Sequence, residues 1–144
     1  MLTAEMTNAE AMERFILAQD KIDATVWALL DPVVAEAQRR APHKTGDLRR
    51  GIIKMPRLEK SKFAGKAVGQ IVIAREMNDT FVKMTLAGKR YYYPASQEYG
   101  FRSRTKGGGE KRVPGRYYML GAAVAAEPDV LAAAERLVEV ILLD

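Results

Sequence analysis

Apolar residues recur at Met12, Phe15, Ile16, Ile22, Val26, Leu29, Leu30, Val33, Val34 and Ala37, close to the three-then-four spacing that lines one side of an α-helix. The pattern predicts a helix over about residues 8–40, capped by Thr7 or Asn8, with Glu10 in the first turn where the helix dipole favours negative charge. Unbroken, it would run about 50 Å, against a radius of gyration of roughly 14 to 15 Å for a globule of this length. It must protrude or bend. Pro32, which lacks an N–H and clashes with the preceding turn, marks the expected kink, with Asp31 as a second cap. Pro42 then ends the helix by disfavouring a helical Ala41.

Beyond Pro42 the pattern changes period. Thr45 or Asp47 can cap one turn, after which Ile52 and Ile53 lead into an extended segment. Residues 54–66 are basic and hold Pro56 and Gly65, which reads as an irregular connection or a frayed edge strand. The β-branched runs at 70–75 and 80–86, separated by residues 76–79, predict an antiparallel hairpin. An aromatic stretch over 91–101 follows, and then residues 102–112, which contain no apolar side chain, so that 101–115 is expected to be a mobile basic loop. Residues 117–126 are helix-compatible, and Pro128 is expected to open a last helix whose apolar face is Val130, Leu131, Ala134, Leu137, Val138, Ile141 and Leu142. The expected architecture is a single α+β domain over 1–144. A long N-terminal helix and C-terminal helices over 117–142 would pack on a small antiparallel β-sheet in the β-rich region 52–99, beside a long basic Gly-rich loop.

Composition removes several chemistries. The 144 residues include no Cys and one His, which excludes disulfide frameworks, thiolate nucleophiles and sulfur-based zinc sites and makes a His-based catalytic pair hard to assemble. No apolar run reaches the roughly 20 residues that span a bilayer, and the N-terminus lacks a basic segment followed by an apolar one. A soluble product without a membrane partner is expected. The net charge of +5 divides unevenly: −5 over residues 1–38, +14 over 39–116 and −4 over 117–144. Acidic ends and a basic middle fit a nucleic-acid surface, neutralising contacts between subunits, or terminal helices lying on the basic middle of the same chain.

Candidate chemistry is sparse. The Gly107–Arg112 run lacks the spacing of a phosphate loop, and neither Arg112 nor Val113 supplies the hydroxyl that would reach Mg²⁺, so a flexible linker or a partner-ordered loop fits better. His43, between Pro42 and Lys44, reads as a surface or capping residue. Glu98 is the sole acid of the aromatic stretch; it could touch the basic loop but has no second carboxylate near it in sequence for hydrolase chemistry. Tyr91, Tyr92, Tyr93, Tyr99, Phe101, Tyr117 and Tyr118 surround the basic loop, a mixture suited to core packing, to protein contacts or to single-stranded nucleic acid. Trp27 reads as a helix-packing residue.

Three runs in order, APHKTGDLRRGI from Ala41 to Ile52, YPASQEYGF from Tyr93 to Phe101 and VPGRYYMLGAA from Val113 to Ala123, resemble the "APxxTGxLRxSI", "YAxxxEYGT" and "xPxxFMxPA" blocks of the tail-completion, or head-tail joining, family of long-tailed bacteriophages and prophages. The resemblance covers about residues 10–140. Gly51 stands where the family usually has Ser, Tyr118-Met119 where Phe-Leu or Phe-Met is commoner, and Gly121 where Pro is common. The resemblance implies an α+β virion protein at the neck or tail top, made in the host cytoplasm and assembling as a ring. It implies no catalysis, cofactor or metal. The implied partners are copies of itself, head-closure or tail-terminator proteins, and DNA in the lumen.

The residues assigned to a subunit or partner interface on this reading are Tyr93, Glu98, Tyr99, Phe101, Arg102, Arg104, Lys106, Lys111, Arg112, Arg116, Tyr117 and Tyr118. The alternative is a nucleic-acid-binding module in which the basic residues of 101–116 bind phosphate and the neighbouring tyrosines stack on bases. A small hydrolase using carboxylates distant in sequence is the third reading.

Overall fold

The first helix, α1 (Asn8–Leu17), opens with a reciprocal cap: the Glu10 N–H donates to Thr7 Oγ1 at 3.2 Å and the Thr7 N–H donates to Glu10 Oε2 at 3.0 Å. The structure, a computed structural model, describes residues 7–56 and 66–143. The expected single helix is two, because the chain turns at Ala18 before α2 (Gln19–Arg40) begins. Tertiary contact accounts for the turn: Arg14 donates to the Leu142 carbonyl at 2.7 Å, tying α1 to the end of the chain. Pro32 interrupts nothing. It lies on the exposed side of α2, where solvent can satisfy the carbonyl of Ala28 that the ring leaves without a donor. Exposed Pro128 is likewise carried inside one continuous helix, α6 (Tyr118–Leu143), in place of the two segments expected there.

Ala41 is extended, as the following Pro requires, and Thr45 Oγ1 accepts the Asp47 N–H at 3.3 Å to start α3 (Asp47–Gly51). Among the described residues, three two-stranded antiparallel ribbons stand in place of one sheet. β1 (Ile52–Lys54) pairs with β2 (Ile71–Ile73), and β3 (Val82–Met84) pairs with β4 (Arg90–Tyr92). The expected hairpin between the 70–75 and 80–86 runs is therefore not formed. Its spacer is helical, a 3₁₀ turn at Arg75–Met77 followed by α4 (Asn78–Phe81), which buries Phe81. The Thr85–Lys89 turn has what a tight hairpin needs: Gly88 in the left-handed region at φ +80°. α5 (Tyr93–Tyr99) follows within the expected β-rich region, and the 57–65 part of the expected irregular connection lies outside the described residues.

The core joins Ala37 of α2 and Ala41 just beyond it to Leu48, Ile52, Phe81, Tyr118 and Ala122. Small residues on both helices let α2 and α6 approach closely. Lys54 binds Asp31 at 2.8 Å and lies 4.1 Å from the centroid of the Trp27 ring, holding β1 against α2. Gly51 is packed against the Phe81 ring so closely that a Cβ there would come within 2.8 Å of it, and Phe81 meets Tyr92 edge-on at 6.4 Å. Gly51→Ser, which introduces the residue usual in the family the sequence resembles, should therefore destabilise this chain by about 1–3 kcal/mol, read as a lower midpoint in urea with an unchanged slope.

Candidate functional site

Residues 102–112 carry no apolar anchor, yet they are not a loop. β5 (Gly100–Arg104) and β6 (Glu110–Pro114) pair over five positions, from Gly100↔Pro114 at the base to Arg104↔Glu110 near the tip. A ribbon needs backbone hydrogen bonds and a compatible turn, both indifferent to the polarity of the side chains. The turn is closed by Thr105 N–H to Gly109 carbonyl at 2.7 Å and Gly108 N–H to Thr105 carbonyl at 3.1 Å, with Gly108 at φ +83°. The same Thr-x-x-Gly pattern closes the β3–β4 ribbon, where Thr85 N–H meets the Lys89 carbonyl at 2.8 Å and Gly88 N–H the Thr85 carbonyl at 2.9 Å.

Alternation sorts the ribbon's side chains. Arg102, Arg104, Arg112 and Glu110 share one face; Phe101, Val113, Ser103 and Lys111 share the other, and Lys106 is at the tip. Arg102 and Arg112 stand directly opposite each other, a like-charge pair that disfavours the ribbon in isolation. The one acid of that face, Glu110, approaches Arg102 at 3.6 Å with both side chains largely exposed, which offsets little of it. A cationic face held this way suits an anionic surface.

The base of the ribbon is fixed by residues from the two stretches that flank it, 94–98 and 116–120. Glu98 is only 6% exposed, and its two carboxylate oxygens accept the N–H groups of Met119 at 2.9 Å and Leu120 at 3.0 Å. It thus caps α6 across 21 residues of sequence, with its charge at the positive end of the helix dipole. A local cap is ruled out by geometry, since Tyr117 precedes α6 in a left-handed conformation (φ +47°) and has no short polar side chain. Arg116 N–H to Gln97 carbonyl (2.8 Å) and Tyr117 N–H to Glu98 carbonyl (3.2 Å) complete the junction. Tyr118 is buried and donates its hydroxyl to the Pro94 carbonyl at 3.0 Å; burial pushes its phenol above the ordinary range.

The twelve interface candidates therefore separate. Tyr99, Phe101, Arg102, Arg104, Lys106, Lys111, Arg112, Arg116 and Tyr117 are exposed around the ribbon and its base. Tyr93, Glu98 and Tyr118 face inward. The Glu98 carboxylate, which its sequence position suggested could contact the basic segment, has the buried end of α6 as its partner. Gly100 and Gly115, where the base of the ribbon packs against the end of α5, are not among these candidates, although both fall inside the resembling runs. The one signal for the ribbon was the repeated Thr-x-x-Gly. Gly107–Gly109 form the hairpin turn, and His43 is an exposed loop residue. Among the described residues no group of three or more His, Asp or Glu is placed to hold a metal ion, and no helix is long and apolar enough to cross a membrane.

A family model described as "Bacteriophage HK97-gp10, putative tail-component" matches residues 6–87. The matched stretch is more than half of the chain and extends into the β3–β4 turn, ending before the β5–β6 ribbon and α6. No curated protein and no solved structure matches.

Proposed function

The chain belongs to the HK97-gp10-like family of bacteriophage tail components, and on that premise we propose that it completes the tail at the head-tail junction by assembling as a ring of identical subunits. The role is structural, in the virion. The observation that supports it beyond family membership is the cationic β5–β6 ribbon: an ordered arm that presents Arg102, Arg104 and Arg112 from a mount buried at Glu98. Such an arm costs less to order on a partner than a disordered loop would. Its anionic counterpart is sought on a neighbouring subunit or on the head-closure or tail-terminator protein adjoining the ring.

Phage lacking the gene should yield filled heads and separate tails by electron microscopy. Supplying the R102E/R104E/R112E variant in trans should leave them unjoined, although the variant folds as judged by circular dichroism; normal joining with this variant would exclude the arm from the function. A second reading, in which the ribbon grips DNA in the lumen, is favoured by exposed Tyr99, Phe101 and Tyr117 beside the arginines. A steep fall in DNA binding with salt, shown by protein that stays monomeric, would select it over the ring.

A further inference from the structure

The surfaces that close the ring are legible apart from the arm. α6 buries Tyr118, Ala122, Ala133 and Ile141 on one side. At about 100° per residue, Leu120, Val124, Leu131 and Val138 fall on the opposite side, and all four are exposed, Val124 and Leu131 at 60% and 56%. A surface helix is normally polar there. The stripe is bordered by exposed Glu127, Glu135 and Glu139, and no ion pair among the described residues engages these acids.

The β3–β4 ribbon has the opposite character. Val82, Met84 and Leu86 are exposed, Leu86 completely, at the tip of an ordered turn. Register puts Val82, Met84, Arg90 and Tyr92 on one face. Lys83, Lys89 and Arg90 are its charges; residues 80–92 contain no acid.

We propose that, in the ring, the β3–β4 ribbon of one copy lies along the outer stripe of α6 of the next, with Leu86 and Met84 against Val124 and Leu131 and with Arg90, on the same face as Met84, among Glu127, Glu135 and Glu139. The contact has an apolar centre, with Arg90 on the ribbon's apolar face and acids beside the α6 stripe, the arrangement that both holds and orients an interface. It joins two different patches, so it is head-to-tail and repeats from copy to copy until it closes. Pairing two α6 stripes would set acids against acids, and Arg136, the helix's one base, points away from the stripe. The β5–β6 arm fits the stripe less well, because Phe101 and Val113 lie on the face opposite its arginines. The α6 stripe, about 27 Å from Leu120 to Val138, is long enough to hold the ribbon.

This inference rests on the ring reading, and the test separates the two. The chain has no cysteine, so disulfide trapping is unambiguous. L86C/L131C protein, purified and in assembled particles, is oxidised and run on a denaturing gel. A ladder of dimers, trimers and higher multimers is expected, whereas L86C alone and L131C alone give at most dimers. As a second measurement, R90E should weaken self-association by about tenfold or more, and adding E135K/E139K should restore it. If multimers form but neither the ladder nor the charge rescue appears, or if L86C couples to a different virion protein, this contact is wrong and the ring stands. If the wild-type protein is present as single copies in particles, both fail.

Discussion

Replacing Glu98 with alanine should lower stability by about 2–4 kcal/mol, the summed effect of losing two charge-assisted bonds and a charge at the helix dipole in a buried place. The substitution removes the acceptors and leaves the Met119 and Leu120 N–H groups of α6 unsatisfied where water has little access. For a chain of this size the midpoint of thermal unfolding should fall by roughly 6–15 °C. Glu98→Gln keeps the volume but turns an amide NH₂ toward one of the two donors, so its loss should approach that of alanine. Hydrogen exchange gives the local readout: Met119 and Leu120 amides, protected in the parent, should exchange at least as fast as the end of α6 in the variant. Unchanged protection at both would show that the carboxylate is not the cap.

That a glutamate 21 residues away caps a helix explains why sequence reading stopped short of the site. Interactions that depend on neighbours in the chain were readable: a cap at Thr7 with Glu10 in the first turn, the stop at Pro42, the turn at Thr45 and the placing of helices at both ends on an antiparallel β middle. Where several partners were open, propensity could not choose among them. The Ile71–Ile73 strand could have paired with either neighbour, and a helical Arg75–Phe81 segment, which buries Phe81, decided for β1. A kink at Pro32 and a helix start at Pro128 are what sequence leads one to expect; both prolines lie inside continuous helices, where their exposed positions make a missing donor tolerable.

The basic segment misled for another reason. Its lack of apolar residues says that it builds no core, and that is correct; it says nothing of whether backbone ladders and a Thr-x-x-Gly turn can order it. The charge partition was informative in the same limited way. Of the ion pairs among the described residues, Glu36 with Arg39 and Arg40, and Asp47 with Arg50, are local, and only Lys54–Asp31 and Arg102–Glu110 join residues farther apart. Hydrogen bonds from Arg39 and then Arg40 hold the exposed Glu36 carboxyl down at about 2. The acids of α6 and the cations of the β3–β4 and β5–β6 ribbons are left facing outward, as the proposed contact requires.

Gly115→Ala should be as disruptive as any single substitution in the chain, costing about 3 kcal/mol or more. A Cβ at Gly115 would lie 2.2 Å from the Glu98 carbonyl oxygen and 2.6 Å from the Tyr99 carbonyl carbon. Both are backbone atoms, so no side chain can swing aside. Separating the strands would break the Arg116–Gln97 and Tyr117–Glu98 bonds and draw the Glu98 carboxylate from the end of α6. Gly100 faces the crossing from the other strand with φ +88° and ψ 175°, a conformation essentially confined to glycine, and its Cβ would come 2.5 Å from the Val113 carbonyl oxygen. Gly107, at the ribbon tip, has nothing within 4 Å of its Cβ position, so Gly107→Ala is the control and should leave the unfolding midpoint within about 0.5 kcal/mol of the parent. Gly115→Ala retains every arginine of the arm while moving its mount. It should therefore fail to restore head-tail joining in trans even at a temperature where the protein stays folded, and normal joining there would show that the charge of the arm matters but its placement does not.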